Sequence, residues 1–171
     1  MILKGNLHGD GATLARYMLT GKDGEIATFM QSRGLEFFSS DPVEAFAIMQ
    51  RMAEATTKST MPFFHGQIRA APGDRELTAE EVQETADRME KRLGFTGQPR
   101  MITMHTDIET GEKNYHVAWF RMDVERECVI DPGLFKVKLM EEARRVEIDF
   151  ALREISSQRK PEDRAKAAKR N

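Results

Sequence analysis

The feature that most limits what this chain can fold into is a pair of β-type segments, Arg100 to Asp107 and Tyr115 to Asp123, separated by Glu109-Thr-Gly-Glu-Lys113. β-Branched and aromatic residues favour strands in both, and the intervening glycine marks a turn, so the pair is expected to close as a hairpin. Period-2 geometry places Thr103, His105 and Asp107 on one face of the first strand, and Asn114, His116 and Ala118 on one face of the second. Such a hairpin presents His105 and His116 on the same side. The pattern admits two readings: imidazoles that bind one divalent metal, or two histidines hydrogen-bonded to backbone.

The rest of the chain supplies partners for this hairpin. Met1 to Lys4 reads as a short strand, followed by a glycine-spaced loop from Gly5 to Gly11 and a helix from about Ala12 to Leu19. Ile26 to Phe29, continuing to Leu35, suggests a second strand. Asp41-Pro42 places an N-cap and a first-turn proline before a helix over Val43 to Thr57, with Val43, Phe46, Met49 and Met52 at helical spacing. Met61 to Arg69 is strand-like and ends in Ala71-Pro-Gly-Asp74. Thr78 and Glu81 form a capping box for a helix over Ala79 to Leu93, with Gly94 as its stop. After Asp131-Pro-Gly133 an amphipathic helix is expected from Phe135 to Ile155. This order predicts an α+β fold: an antiparallel-rich sheet with helices mainly on one face.

At 171 residues the chain fits one domain with a sizeable core, expected over 1–157, with 158–171 a basic tail or the start of a linker. The net charge of −2 excludes a protein that coats nucleic acid through charge alone, so any contact with nucleic acid must be local. The tail, which holds Arg159, Lys160, Arg164, Lys166, Lys169 and Arg170, reads as a solvated arm or as a phosphate-contacting one. The single Cys128 excludes an internal disulfide and a thiolate cluster; a reducing cytoplasm and an inert buried thiol are expected. No signal peptide is visible, and no apolar run approaches the roughly 20 residues that span a bilayer, so no membrane insertion is expected.

Read in order, the chain resembles the catalytic domain of the relaxases, the mobilisation nucleases that start conjugative plasmid transfer. The resemblance is carried by Met1-Ile-Leu-Lys-Gly, by Leu14-Ala-Arg-Tyr17-Met-Leu with Gly21-Lys-Asp, and by Leu77-Thr-Ala-Glu-Glu through Leu93-Gly-Phe-Thr-Gly-Gln-Pro-Arg100. It ends in His105-Thr-Asp and His116-Val-Ala-Trp-Phe-Arg121-Met-Asp123. It implies a relaxase-like palm that binds single-stranded DNA beside a transfer-origin hairpin, with contacts to other relaxosome or secretion-coupling proteins. In such enzymes a tyrosine attacks the phosphorus, the protein stays on the 5′ phosphate, and a 3′ hydroxyl is released. Tyr17 would be that nucleophile; on its residues alone it is equally a core tyrosine, because Leu14, Tyr17 and Met18 share a helical face.

The resemblance also implies a divalent ion held by three histidines, two of them one residue apart on the second hairpin strand. Here Asn114 stands where the first of those two falls, or Ala118 where the second falls if the alignment slips by two. With His105, Asn114 and His116 as ligands, Mg²⁺ or Mn²⁺ is expected rather than Zn²⁺, because an amide oxygen suits a hard cation. Asp107 is expected to orient His105, or to serve as ligand or proton acceptor for Tyr17. Alternation puts His65, Gln67 and Arg69 on one face, where they line a DNA groove or form a solvent-facing polar edge. His8 is a surface histidine or a residue beside a phosphate at a helix N-terminus. Trp119 and Tyr115 point away from the histidine face, into the core. The missing histidine keeps an alternative open: a relaxase-fold DNA-binding module with weak or no cleavage.

Overall fold

A computed structural model describes residues 1–155. The tail and the expected boundary at 157 therefore lie outside the described residues. Five strands form one antiparallel sheet: β1 (Ile2–His8), β2 (Glu25–Arg33), β3 (Phe63–Arg69), β4 (Arg100–Asp107) and β5 (Lys113–Phe120), in the spatial order β1-β3-β5-β4-β2. The helices are α1 (Gly11–Thr20), α2 (Pro42–Thr56), α3 (Ala79–Leu93) and α4 (Phe135–Asp149). The α+β class and the antiparallel sheet are as expected.

The placement of the helices differs from the expectation. They divide two and two: α1 and α2 pack with Phe63, Met101, Ala118 and Phe120 on one face, while α3 and α4 pack with Phe64, Ile68, Val117 and Trp119 on the other. The cause is visible in β3 and β5, whose alternate residues are apolar on both sides, so neither face can be left in water. Trp119 is fully buried on the α3/α4 side, away from the histidines, as its position in the strand predicts.

Local sequence explains most element ends. The Thr78 side chain accepts from the Glu81 amide at 3.2 Å and Glu81 accepts from the Thr78 amide at 2.9 Å, while Gly94 takes the left-handed conformation at φ 82°. The Asp10 carboxylate caps α1 through the Thr13 amide at 2.9 Å, and Pro42 sits in the first turn of α2. β1 runs through the predicted glycine loop to His8. Gly5 lies opposite Gly66 in the register, and the ring of Phe64 occupies the space a side chain at Gly5 would need. The expected strand Tyr115 to Asp123 is divided: β5 ends at Phe120, and β6 (Met122–Asp123) pairs with β7 (Cys128–Val129) in a separate hairpin, which leaves Cys128 exposed rather than buried. α4 stops at Asp149, short of Ile155, because the chain folds back: the Leu152 and Ile155 amides both donate to Glu147, and Leu152 packs into the core.

Candidate active site

The site is built on the α1/α2 face of the three inner strands. Cross-strand pairing puts Thr103 of β4 opposite His116 of β5, His116 opposite Gln67 of β3, and His105 opposite Asn114. β1 adds His8 at its end, so the four histidines of the chain come from four adjacent strands. Successive ring centroids lie 5.8 Å (His8 to His65), 5.0 Å (His65 to His116) and 4.2 Å (His116 to His105) apart. His65, His105 and His116 are buried. The Tyr17 ring stands over this row, 5.9, 5.2 and 5.4 Å from His65, His105 and His116, close to perpendicular to each.

α1 delivers Tyr17 because Leu14, Ala15 and Met18 anchor one side of the helix in the core and leave Tyr17 at its rim, half-buried. Gly21 ends the helix at φ 73°, donating to the Tyr17 carbonyl at 2.8 Å, and the chain turns straight into Lys22. The Lys22 ammonium nitrogen lies 5.7 Å from the centre of the Tyr17 ring. The Lys22 amide and Nδ1 of His105 share one acceptor, Oε2 of Glu25, each at 3.1 Å.

Burial dominates the electrostatics. It raises the Tyr17 phenol above its ordinary value, and the Glu25 carboxylate adds to that shift. It also holds His65 down to about 4, with His8 and His105 contributing, and His116 down to about 3, with His65, His105 and Lys22 contributing. Both rings are therefore neutral at neutral pH. His65 Nε2 and His116 Nδ1 are hydrogen-bonded at 2.8 Å. His116 Nε2, and Thr103 Oγ1 opposite it, are buried without a partner among the described residues.

In the arrangement described, His105 and His116 do not both turn a free nitrogen towards one point. Nδ1 of His105 faces Glu25, and its Nε2 faces the Met18 carbonyl at 2.8 Å. Glu25 and the Met18 carbonyl thus engage both ring nitrogens of His105 in this arrangement. His116 Nδ1 is engaged by His65, so within the expected pair His105 and His116 only His116 Nε2 is free in this arrangement. No group of three or more His, Cys, Asp or Glu among the described residues is arranged to hold a metal.

The other expected residues separate into two groups. His65, expected to line a DNA groove or a solvent-facing polar edge, lies buried beneath Tyr17 and completes a histidine trio with His105 and His116. Asp107 does not reach His105 or Tyr17: its Oδ1 accepts from the Glu109 amide at 3.0 Å and the Thr110 amide at 2.7 Å, closing the β4–β5 turn. Glu25, not Asp107, is the carboxylate bonded to His105. Asn114, Gln67 and Arg69 lie on the same sheet face as the histidines, half-buried, with Arg69 ion-paired to Glu112. Glu25 and Lys22 carry no motif that sequence reasoning could have used, apart from Lys22 lying in Gly21-Lys-Asp.

No helix among the described residues is long and apolar enough to cross a membrane. Neither a curated protein nor a solved structure matches the chain. A family model does, described as "Relaxase: MobA/VirD2-like, nuclease domain", and it covers residues 17–152, from Tyr17 through α4. With most of its length inside that match, the chain belongs to the MobA/VirD2-like relaxases as their nuclease domain, and its role is DNA nicking in mobilisation.

Proposed function

We propose that the chain nicks single-stranded DNA at a plasmid transfer origin through Tyr17, forming a 5′-phosphotyrosyl intermediate. The observation that carries this reading is the Tyr17 ring standing over three buried histidines, at the end of a helix that leaves its side chain half-open. A phenol is a poor nucleophile until its proton has somewhere to go. With His116 donating through Nδ1 to His65, its Nε2 carries a free lone pair beside Tyr17 and takes that proton. The low basicity of His116 in the free protein rises when a phosphodiester brings negative charge next to it. His105, fixed between Glu25 and the Met18 carbonyl, orients the end of α1. The polar part of the same face, with Lys4, Asn6, Gln67, Arg69 and Asn114, is the groove we assign to the DNA strand and the adjoining hairpin. The reaction belongs in the cytoplasm with the plasmid, beside other relaxosome or secretion-coupling proteins.

A second reading, a hairpin-binding module with weak cleavage, is favoured by Asn114 in place of a histidine and by the closed hydrogen bonding of His105. The two are separated by incubating the protein with single-stranded oligonucleotides tiled across the DNA flanking its gene. The nicking reading expects a denaturant-stable adduct that Tyr17→Phe abolishes while DNA binding is kept. Binding without any adduct establishes the second reading.

A further inference from the structure

Beyond the last residue of β3, the loop 70–77 and the β4–β5 turn enclose a cavity of about 200 Å³. Its apolar walls come from Pro72, Leu77 and Tyr115, the last two buried. Both flanks are held in place. The Tyr115 hydroxyl donates to the Leu77 carbonyl at 3.4 Å, and Arg75 reaches from Glu81 to the Phe150 carbonyl at 2.9 Å. On the other side the Asp107 carboxylate closes the turn through the Glu109 and Thr110 amides. A cavity fixed in this way exists before its ligand arrives, so binding has little left to order.

Charge decides what it can hold. Arg69 pairs with Glu112, Lys113 with Glu76 and Arg75 with Glu81, so each of these cations at the rim already faces a carboxylate. A phosphate subsite needs cations free to meet it. Apolar walls with hydrogen-bond donors and acceptors side by side at the edge suit a flat, uncharged heterocycle instead. Position points the same way. Arg69 lies two residues along β3 from Gln67, and Gln67 is opposite His116. Arg69 thus belongs both to the groove assigned to the DNA strand and to the rim of the cavity, whose mouth begins about 7 Å along the strand direction from the level of His116.

We propose that this cavity is a base pocket: it takes one unstacked base of the bound single strand, within a few nucleotides of the scissile phosphate, and so helps to select the sequence held at Tyr17. The proposal rests on the nicking reading. The base enters past Arg69 and Glu112, its ring meets Pro72 and Leu77, and its edge exchanges hydrogen bonds with Glu76 and Lys113. The Arg69–Glu112 and Lys113–Glu76 pairs are partly open to solvent, so giving up one partner for a base edge costs little. No covalent bond is made or broken.

The test uses the full chain and the tiled oligonucleotide that it binds most tightly. One nucleotide at a time is replaced by an abasic residue, and affinity is followed by fluorescence anisotropy. The expected profile has one position, close to the site of the Tyr17 adduct, where loss of the base weakens binding about 10-fold, within the range for removing one base contact. Glu76→Trp and Pro72→Trp each plug the cavity from an exposed rim residue, away from the histidine row. Each should weaken the intact oligonucleotide by a similar factor, and at that one position the abasic replacement should then cost nothing further. Glu76→Ala breaks the same ion pair but leaves the cavity open, so it should keep the abasic step. An abasic profile that is the same in both plugged variants as in the unmodified protein overturns the proposal, and a Tyr17 adduct formed in parallel leaves the nicking reading standing. If no tiled oligonucleotide is bound, that reading falls and takes the pocket with it.

Discussion

Nε2 of His105 lies 2.8 Å from the carbonyl oxygen of Met18, so the residue next to Tyr17 is hydrogen-bonded to the strand beneath it. This bond ties the turn of α1 that carries Tyr17 to β4, alongside the packing of Leu14, Ala15 and Met18. His105→Ala removes it and leaves the Met18 carbonyl buried without a partner, which costs about 1–3 kcal/mol. The expected outcome is a lower urea midpoint together with loss of the tyrosyl adduct. Unchanged stability would show that α1 is held by its apolar side only.

Acid stability tests the two neutral imidazoles. An unfolded histidine titrates near 6.5, whereas His65 and His116 in the folded protein do so at about 4 and about 3. Below pH 6.5 the unfolded chain therefore binds protons that the folded protein refuses, and stability falls as the pH drops from 6.5 towards 4. Above 6.5 these groups cause no pH dependence. The free energy of unfolding, measured by urea titration across that window, should show a slope approaching two protons, and His65→Gln should reduce it by about one. A flat profile would mean that the rings are hydrated or charged in the folded state.

Asp107→Ala separates a turn residue from a catalytic one. The carboxylate is held below its usual range by the Thr110 amide and hydroxyl and by the Glu109 amide, all within the β4–β5 turn. The substitution should lower the melting temperature modestly and leave adduct formation unchanged. A variant with normal melting and no adduct would return Asp107 to the reaction.

Gly66→Ala examines the opposite face of the sheet. A methyl group there meets Met89 Cε at 2.8 Å and Trp119 Cζ3 at 2.9 Å. The thioether end can swing aside, but the indole is fixed by its hydrogen bond to Glu90 at 3.0 Å. A loss of about 1–3 kcal/mol is expected in urea unfolding, typical of overpacking. A neutral result would show that Trp119 can shift.

What could be read in the sequence was local. The His105/His116 hairpin, the limits of α3 and the inward position of Trp119 all follow from alternation, a capping box and a glycine stop, each contained in a few neighbouring residues. What could not be read depended on pairing between distant segments. His65 becomes a member of the histidine row because β3 pairs with β5, which alternation within β3 cannot reveal. Glu25 replaces Asp107 as the partner of His105 because β2 lies beside β4 with Ala27 opposite His105, which brings the start of β2 to the end of the row. Asp107 was attractive by proximity in sequence, but its carboxylate is satisfied more cheaply by the turn that follows it. The second helical layer is not legible because the same apolar residues on both sides of β3 and β5 serve equally as a strand signal and as two faces needing cover.

The strand order has a consequence for how the protein is made. The edge strands β1 and β2 leave the ribosome first, yet β1 pairs only with β3 and β2 only with β4, and the middle strand β5 is the last of the five to be synthesised. Tyr17 thus emerges before the imidazoles of His65, His105 and His116 beneath it, which come from strands made later. Pairing of this kind closes long loops before it gains contacts, which slows folding and exposes apolar edges in the meantime. A nascent chain carries its tyrosine without the surroundings that would let it attack DNA, and the reactive centre comes into being only when β5 slots between β3 and β4.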